Sequence, residues 1–284
     1  MSSKVAVVTG SNKGIGFGIV RNLCKQFDGV VYLTSRDVGR GQAAVEELKK
    51  AGLKPPEYHQ LDILDLDSIR KFGDHLKTKH GGIDVLVNNA AIAFKAAATE
   101  PFAEQAEVTL RTNYFALVDV CNELFPLLKP HARVVNVSSS AGHLLRIPGE
   151  ELRKKFSEPN LTEPELSKLM KQFIADAKDG SYASKGWPNS TYVVSKVGVS
   201  TLTRIQHRLF LEDPREDIVI NHVHPGYVDT DMTSHQGPLT IEQGADAPTY
   251  LALLPKGTTS PKGDYVWYTR EICDWVNGPT PSVV

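Results

Sequence analysis

The chain has 284 residues, of which 41% are apolar and 23% charged, proportions that suit a globular protein with room for a sizeable core. Its 32 Lys and Arg balance 33 Asp and Glu, and a net charge of −1 gives no footprint for nucleic acid or an anionic membrane. Cys24, Cys121 and Cys273 are too few and too scattered for a disulfide framework or a metal site. With no basic leader ahead of an apolar run and no stretch near eighteen apolar residues, a cytoplasmic protein without a membrane span is expected.

KVAVVTG (4–10) is β-branched and stops in a turn, which predicts a buried first strand. TGSNKGIG (9–16) follows and opens a helix whose stripe is Ile15, Ile19, Leu23 and Phe27. Gly10, Gly14 and Gly16 permit a tight turn and close approach of backbone to a pyrophosphate, which free N–H groups at the helix start would face. Gly10, Asn12, Lys13, Gly14, Ile15 and Gly16 are therefore candidate coenzyme contacts, although the spacing is G-x-x-x-G-x-G. The second strand, VVYLTSR (30–36), ends where an acid would bind the ribose of NAD. Arg36 stands there instead, and with Lys13 it favours the 2′-phosphate of NADP(H); Asp37, one residue on, argues the other way.

The segment 39–51 predicts a helix through Val45 and Leu48, YHQLDI (58–63) a third strand, and 67–80 a helix through Ile69, Phe72 and Leu76. Asp62-Ile63 could meet an adenine amino group. IDVLVNNA (83–90) predicts a fourth strand ending in Asn88 and Asn89, which could brace a neighbouring strand or touch the adenine ribose. A long helix over 103–128 should kink or end near Pro126. RVVNVSS (133–139) predicts a fifth strand, with Ser138, Ser139 and Ser140 at its crevice end. An insertion of about 143–188 then breaks the rhythm. Leu152 and Phe156, then Leu166, Leu169, Met170 and Phe173, predict two amphipathic helices, the second starting at Thr162. The helix over 191–211 has the stripe Val197, Leu202, Ile205 and Leu209 and carries Tyr192 and Lys196. IVINHVHPG (218–226) predicts a sixth strand. Pro225-Gly226 could bring backbone groups to a nicotinamide carboxamide and Thr230 could reach a phosphate. YVWYT (265–269) predicts a last strand.

Strands alternating with helices predict an α/β protein of the Rossmann type: a doubly wound parallel sheet with helices on both faces, in one domain over 1–284. Ligands then belong at the carboxyl ends of the strands. Tyr192 and Lys196, one helical turn apart, would share that crevice with a strand-end serine. A phenol titrates near 10, about where model peptides put it, and a nearby ammonium favours the phenolate. Tyr192 would then exchange a proton with a carbonyl oxygen.

TGSNKGIG, NNAA, Asn113, VSSSAG, YVVSK and PGYVDT together resemble the short-chain dehydrogenase/reductase family, from about residue 4 to residue 270. The insertion before YVVSK, with GGIDVLVNNA, PFAEQAEVTL and GWPNSTY, resembles its monomeric, NADPH-dependent carbonyl-reducing branch. The resemblance implies a catalytic set of Asn113, Ser139, Tyr192 and Lys196. Ser139 is chosen because the family serine stands three residues before a glycine, here Gly142, and the asparagine holds a water linking the lysine to solvent. It implies NADPH as coenzyme, contacted by the glycine turn, Arg36, Asp62, Ile63, Asn89, Tyr192, Lys196, Pro225, Gly226, Val228 and Thr230. It also implies small carbonyl substrates, aldehydes, ketones and quinones, with Tyr227 beside the substrate where the branch has tryptophan. A glutathione groove near Phe94, Lys95, Ala96 and Gln105 is implied as well, and an insertion that covers the helical face used elsewhere for oligomers, hence a monomer. Ala91 replaces the usual glycine of NNAG. Alternatives of the same fold are a hydroxysteroid or prostanoid alcohol dehydrogenase and a non-catalytic NADPH-sensing scaffold.

Overall fold

A computed structural model describes residues 3–281. Its centre is one sheet of eight strands: β1 (Val5–Val8), β2 (Val30–Ser35), β3 (Glu57–Gln60), β4 (Ile83–Asn88), β5 (Leu128–Val137), β6 (Val219–Val223), β7 (Tyr265–Val266) and β8 (Ile272–Cys273). The spatial order is β3-β2-β1-β4-β5-β6-β7-β8, every pairing parallel except β7 with β8. Order reverses between β1 and β4, which opens a crevice at the carboxyl ends of those strands.

The period-2 alternation of β1 divides the core. Ala6 and Val8 face a layer built from Ile19 and Leu23 of α1 (Gly14–Gln26) with Ala245 and Leu251. Val5 and Val7 face the opposite layer, with Ile69, Phe72 and Leu76 of α3 (Leu66–His80). α2 (Val38–Lys50) flanks β2 and β3 on the first face. The expected helix over 103–128 is divided. α4 (Phe102–Leu110) passes through a π turn at Arg111–Phe115 into α5 (Ala116–Leu124), and a short 3-10 turn at Phe125–Leu127 carries Pro126. The break thus falls at Asn113, ahead of the proline.

The insertion forms α6 (Glu150–Ser157) and α7 (Glu163–Asp179), and Thr162 opens α7 with Glu165 reaching back to its N–H at 2.9 Å. Leu166, Met170 and Phe173 of α7 pack with Ala106 and Leu110 of α4 and with Val194 and Val197 of α8 (Thr191–Leu211). Leu209, expected in the α8 stripe, is instead 58% exposed. The helix α9 (Ile241–Ala252) has no counterpart among the sequence expectations. Gly244, Ala245, Ala247 and Pro248 blur its apolar period, yet these small residues let it press against α1: a Cβ on Gly18 would lie 2.7 Å from Ile241 Cγ2. The last strand is shorter than YVWYT suggests, because the chain turns back at Arg270 (φ 70°) to add β8. No helix among the described residues is long and apolar enough to cross a membrane.

Candidate active site

The glycine turn sits where β1 gives way to α1. Gly10 has φ 59°, and a Cβ there would meet Ala90 Cα at 2.9 Å. A Cβ on Gly16 would lie 2.4 Å from Asn89 Nδ2 and 2.8 Å from the Gly10 carbonyl. Asn89 braces the turn by donating to the carbonyls of Thr9 and Gly10, 3.0 Å each. α1 begins with no side chain capping its first N–H groups and no acid in its first turn. A cleft of ≈ 480 Å³ opens beside it, lined by Asn12, Lys13, Gly14, Phe17, Arg21 and Asp229 among others. An uncapped helix start with a turn that only glycine fits leaves free N–H groups of the kind that suit a dinucleotide pyrophosphate. Lys13 is exposed and ion-paired with Asp231 at 2.6 Å. Arg36 is exposed at the end of β2. Asp37 caps α2, accepting from Arg40 N at 2.8 Å and pairing with the Arg40 guanidinium at 3.3 Å, so the carboxylate that argued for NAD already has its partners. Asp62 likewise folds onto its own turn, accepting from Leu64 N at 3.0 Å.

The second half of the site joins β5 to α8. Ser139 lies just past β5; its hydroxyl accepts from Ala141 N at 3.1 Å and neighbours the Tyr192 phenol closely enough to favour the phenolate. Ser190 caps α8 through Val193 N at 3.3 Å, which places Tyr192 in the first turn. Lys196 is one turn further, 3% exposed; its Nζ donates to the Val137 carbonyl at 2.8 Å and lies 5.8 Å from the centroid of the Tyr192 ring. Burial pushes the Lys196 ammonium down to about 8. Burial also pushes the Tyr192 phenol up, and the neighbouring Ser139 hydroxyl offsets this only in part. The expectation that Lys196 acidifies Tyr192 is therefore corrected. The lysine is itself desolvated and keeps its ammonium against a backbone carbonyl, so dehydration of the phenol outweighs its pull.

Asn113 is buried in the π turn. It donates to the Ile92 carbonyl at 2.9 Å and to Ser195 Oγ at 3.0 Å, and accepts from Ile92 N at 2.8 Å. Asn113 and Lys196 line one cavity of ≈ 20 Å³ together with Thr9, Ile63 and Asn88. That is room for a single water, and Asn88 Oδ1 is buried there without a partner while its Nδ2 donates to Asn136 at 2.8 Å.

Comparison with known proteins bears on this geometry. Residues 4–149 match the family profile described as short chain dehydrogenase. The chain belongs to the short-chain dehydrogenase/reductase family. It is 50% identical over 276 residues to carbonyl reductase [NADPH] 1 of Sus scrofa, covering 96% of this chain and 95% of that one. It is 52% identical over 266 residues to carbonyl reductase [NADPH] 3 of Mus musculus, covering 93% and 96%. Among solved structures, salutaridine reductase from Papaver somniferum superposes with TM-score 0.84 at 32% identity, covering 92% of this chain and 99% of that one. Menthone neomenthol reductase from Mentha piperita gives 0.79 at 33%, covering 94% and 99%.

In this short-chain dehydrogenase/reductase, of the residues expected at a nicotinamide end, Gly226 has φ 92°, Val228 is fully buried, and Thr230 lies beside Gly14. Tyr227 is 39% exposed. The four residues assigned to a glutathione groove are less clearly gathered. Lys95 donates to the Asp231 carbonyl and to Ser234 Oγ at 3.0 Å, and Gln105 donates to the Glu100 carbonyl at 2.9 Å; Phe94 is half-buried and Ala96 exposed. The sequence reading passed over His224 and Tyr265, which the fold brings against the serine turn: His224 Nδ1 accepts from Ser140 N at 2.9 Å, and the Tyr265 hydroxyl donates to the Ser139 carbonyl at 2.7 Å. The signal was present in INHVHPG, whose two histidines interrupt an otherwise apolar buried strand.

Proposed function

We propose that the protein is an NADPH-dependent carbonyl reductase that converts aldehydes, ketones and quinones to alcohols or hydroquinones. The observation that carries the reading is the Tyr192 phenol, beside Ser139 and one turn from a buried Lys196, at the sheet end that also bears the glycine turn. The relatives named carbonyl reductase [NADPH], alike over more than nine-tenths of the chain, support the same activity and coenzyme.

When bound, NADPH supplies the hydride. The N–H groups at Gly14, Ile15 and Gly16 hold its pyrophosphate, and Lys13 and Arg36 bind the 2′-phosphate. Asp62, Ile63 and Asn89 border the adenosine half; Pro225, Gly226, Val228 and Thr230 border the nicotinamide half. Ser139 donates a hydrogen bond to the substrate oxygen and Tyr192 gives that oxygen its proton. Lys196 holds the nicotinamide ribose. Asn113 fixes the wall of the cavity through which a single water, also bonded to Asn88, returns a proton towards Lys196. Tyr227 flanks the substrate, and Phe94, Lys95, Ala96 and Gln105 mark the side on which a glutathione adduct would lie. The protein works as a cytoplasmic monomer of one domain, a reading supported by its three free cysteines and by α7 lying over α4 and α8.

The test is NADPH consumption with a panel of menadione-like quinones, an aromatic aldehyde and a glutathione adduct. Turnover with the quinones and aldehyde is expected. No consumption with any of them would sustain the non-catalytic scaffold instead. In the same assay Arg36→Ala should weaken NADPH far more than NADH; equal losses would remove the 2′-phosphate assignment.

A further inference from the structure

Ser139 and Ser140 share one peptide plane, and that plane is gripped from both sides. Its carbonyl accepts from the Tyr265 hydroxyl at 2.7 Å, and its N–H donates to His224 Nδ1 at 2.9 Å. Both grips come from neighbouring strands: His224 follows β6 directly, and Tyr265 opens β7. Tyr265 is 1% exposed, and its ring stacks on the register-paired His222, with centroids 4.9 Å apart and planes 19° apart. The residue before the plane is fixed too, through Ser138 N to the Val223 carbonyl at 2.8 Å. Two residues further on, the Trp275 indole donates to the Gly142 carbonyl at 2.6 Å. A buried hydroxyl and a buried imidazole nitrogen are costly inside a core unless each is bonded. Here both bonds fall on the peptide that sets the direction of the Ser139 side chain.

We infer that Tyr265 is a positioning residue for the reduction, acting through the Ser139 peptide to hold the Ser139 hydroxyl towards Tyr192, with His224 gripping the opposite edge of the same plane. The inference rests on the role proposed above for Ser139. Tyr265 touches neither substrate nor coenzyme in this assignment. Removing its hydroxyl leaves the Ser139 carbonyl without its donor, the plane loses one of two restraints, and the hydroxyl that steadies the substrate oxygen spreads over more orientations. A displacement on the order of 1 Å is enough to cost a large factor in rate.

Tyr265→Phe removes one oxygen and keeps the stack on His222. The expected result is a fall in kcat of about tenfold, with NADPH affinity measured by fluorescence within about twofold of the parent. Combining Tyr265→Phe with Ser139→Ala should be no slower than Ser139→Ala alone, since the hydroxyl being positioned is already gone. His224→Asn, which keeps an acceptor near the Nδ1 position, should retain more turnover than His224→Leu. An unchanged kcat in Tyr265→Phe, or an equal loss in both the parent and the Ser139→Ala background, would overturn the inference while leaving the site assignment intact. Parental turnover in Ser139→Ala itself would overturn the site assignment, and the inference with it.

Discussion

Tyr192 and Lys196 show what spacing reveals and what it hides. Four residues on a helix put the two side chains on one side, so their pairing was legible in STYVVSK. Their titration was not, because it depends on how much water the fold removes. Burial holds Lys196 at about 8 and raises Tyr192 above its ordinary 10. The sign for activity follows. Below about 8 Lys196 is a cation able to hold a ribose hydroxyl; as pH rises through that value it loses its proton while Tyr192 keeps its own. The pH profile of kcat/KM for carbonyl reduction should therefore fall with a single proton near pH 8. A profile flat to pH 10 would show that the charge of Lys196 is not needed. Ser139, too, was only one of three strand-end serines until the resemblance singled it out, and the fold puts its hydroxyl beside the Tyr192 phenol. Its grips by His224 and Tyr265 come from 85 and 126 positions away in the chain, beyond any local pattern.

At the scale of elements, the glycine turn was readable because its chemistry is local, and the structure supplies the reason for each glycine. Gly16→Ala forces a methyl to within 2.4 Å of Asn89 Nδ2 and onto the backbone of Gly10, so the turn itself must shift. NADPH affinity measured by titration should drop at least about tenfold, while the rest of the fold is kept. The break in the 103–128 helix was placed at Pro126 by a sound local rule, but a π turn at Asn113 takes precedence because the asparagine bonds both backbone groups of Ile92. The insertion was legible as two helices but not its anchor. Asp176, 1% exposed, accepts from Lys185 at 2.5 Å, Gln172 at 2.7 Å and the Trp187 indole at 2.8 Å. Asp176→Ala strips three donors of one acceptor and should destabilise the protein by roughly 2–4 kcal/mol in chemical denaturation.

Across the whole molecule, the proposed catalytic residues and a major polar anchor occupy opposite ends of the sheet. Near the amino ends of β5 and β6, Arg133 donates to Asp217 Oδ2 at 3.0 Å and to the Leu254 carbonyl at 3.0 Å. Burial alone would raise the Asp217 carboxyl, but the Gly257 N–H, Arg133 and His131 outweigh it and hold it at about 2. A carboxyl held below its unfolded value stabilises the fold above about pH 4, and that contribution is lost as pH falls towards 2. Asp217→Asn should cost roughly 1–3 kcal/mol at pH 7, with the deficit shrinking below pH 4 and kcat unchanged. An altered kcat would mean that the two ends are coupled. The parallel order of the sheet followed from the alternation of β-branched runs with helices, whereas α9 and the β7–β8 return did not. Their residues are small, short-ranged or turn-forming, and only contacts with α1 and β6 make elements of them.

The most direct test of the account is the Tyr192→Phe variant, with NADPH binding and quinone turnover measured on the same preparation. The account predicts near-parental binding and a turnover lower by roughly 10²–10⁴, the scale on which a positioned acid contributes. Full turnover with normal binding would contradict it, because the proton would then come from another group.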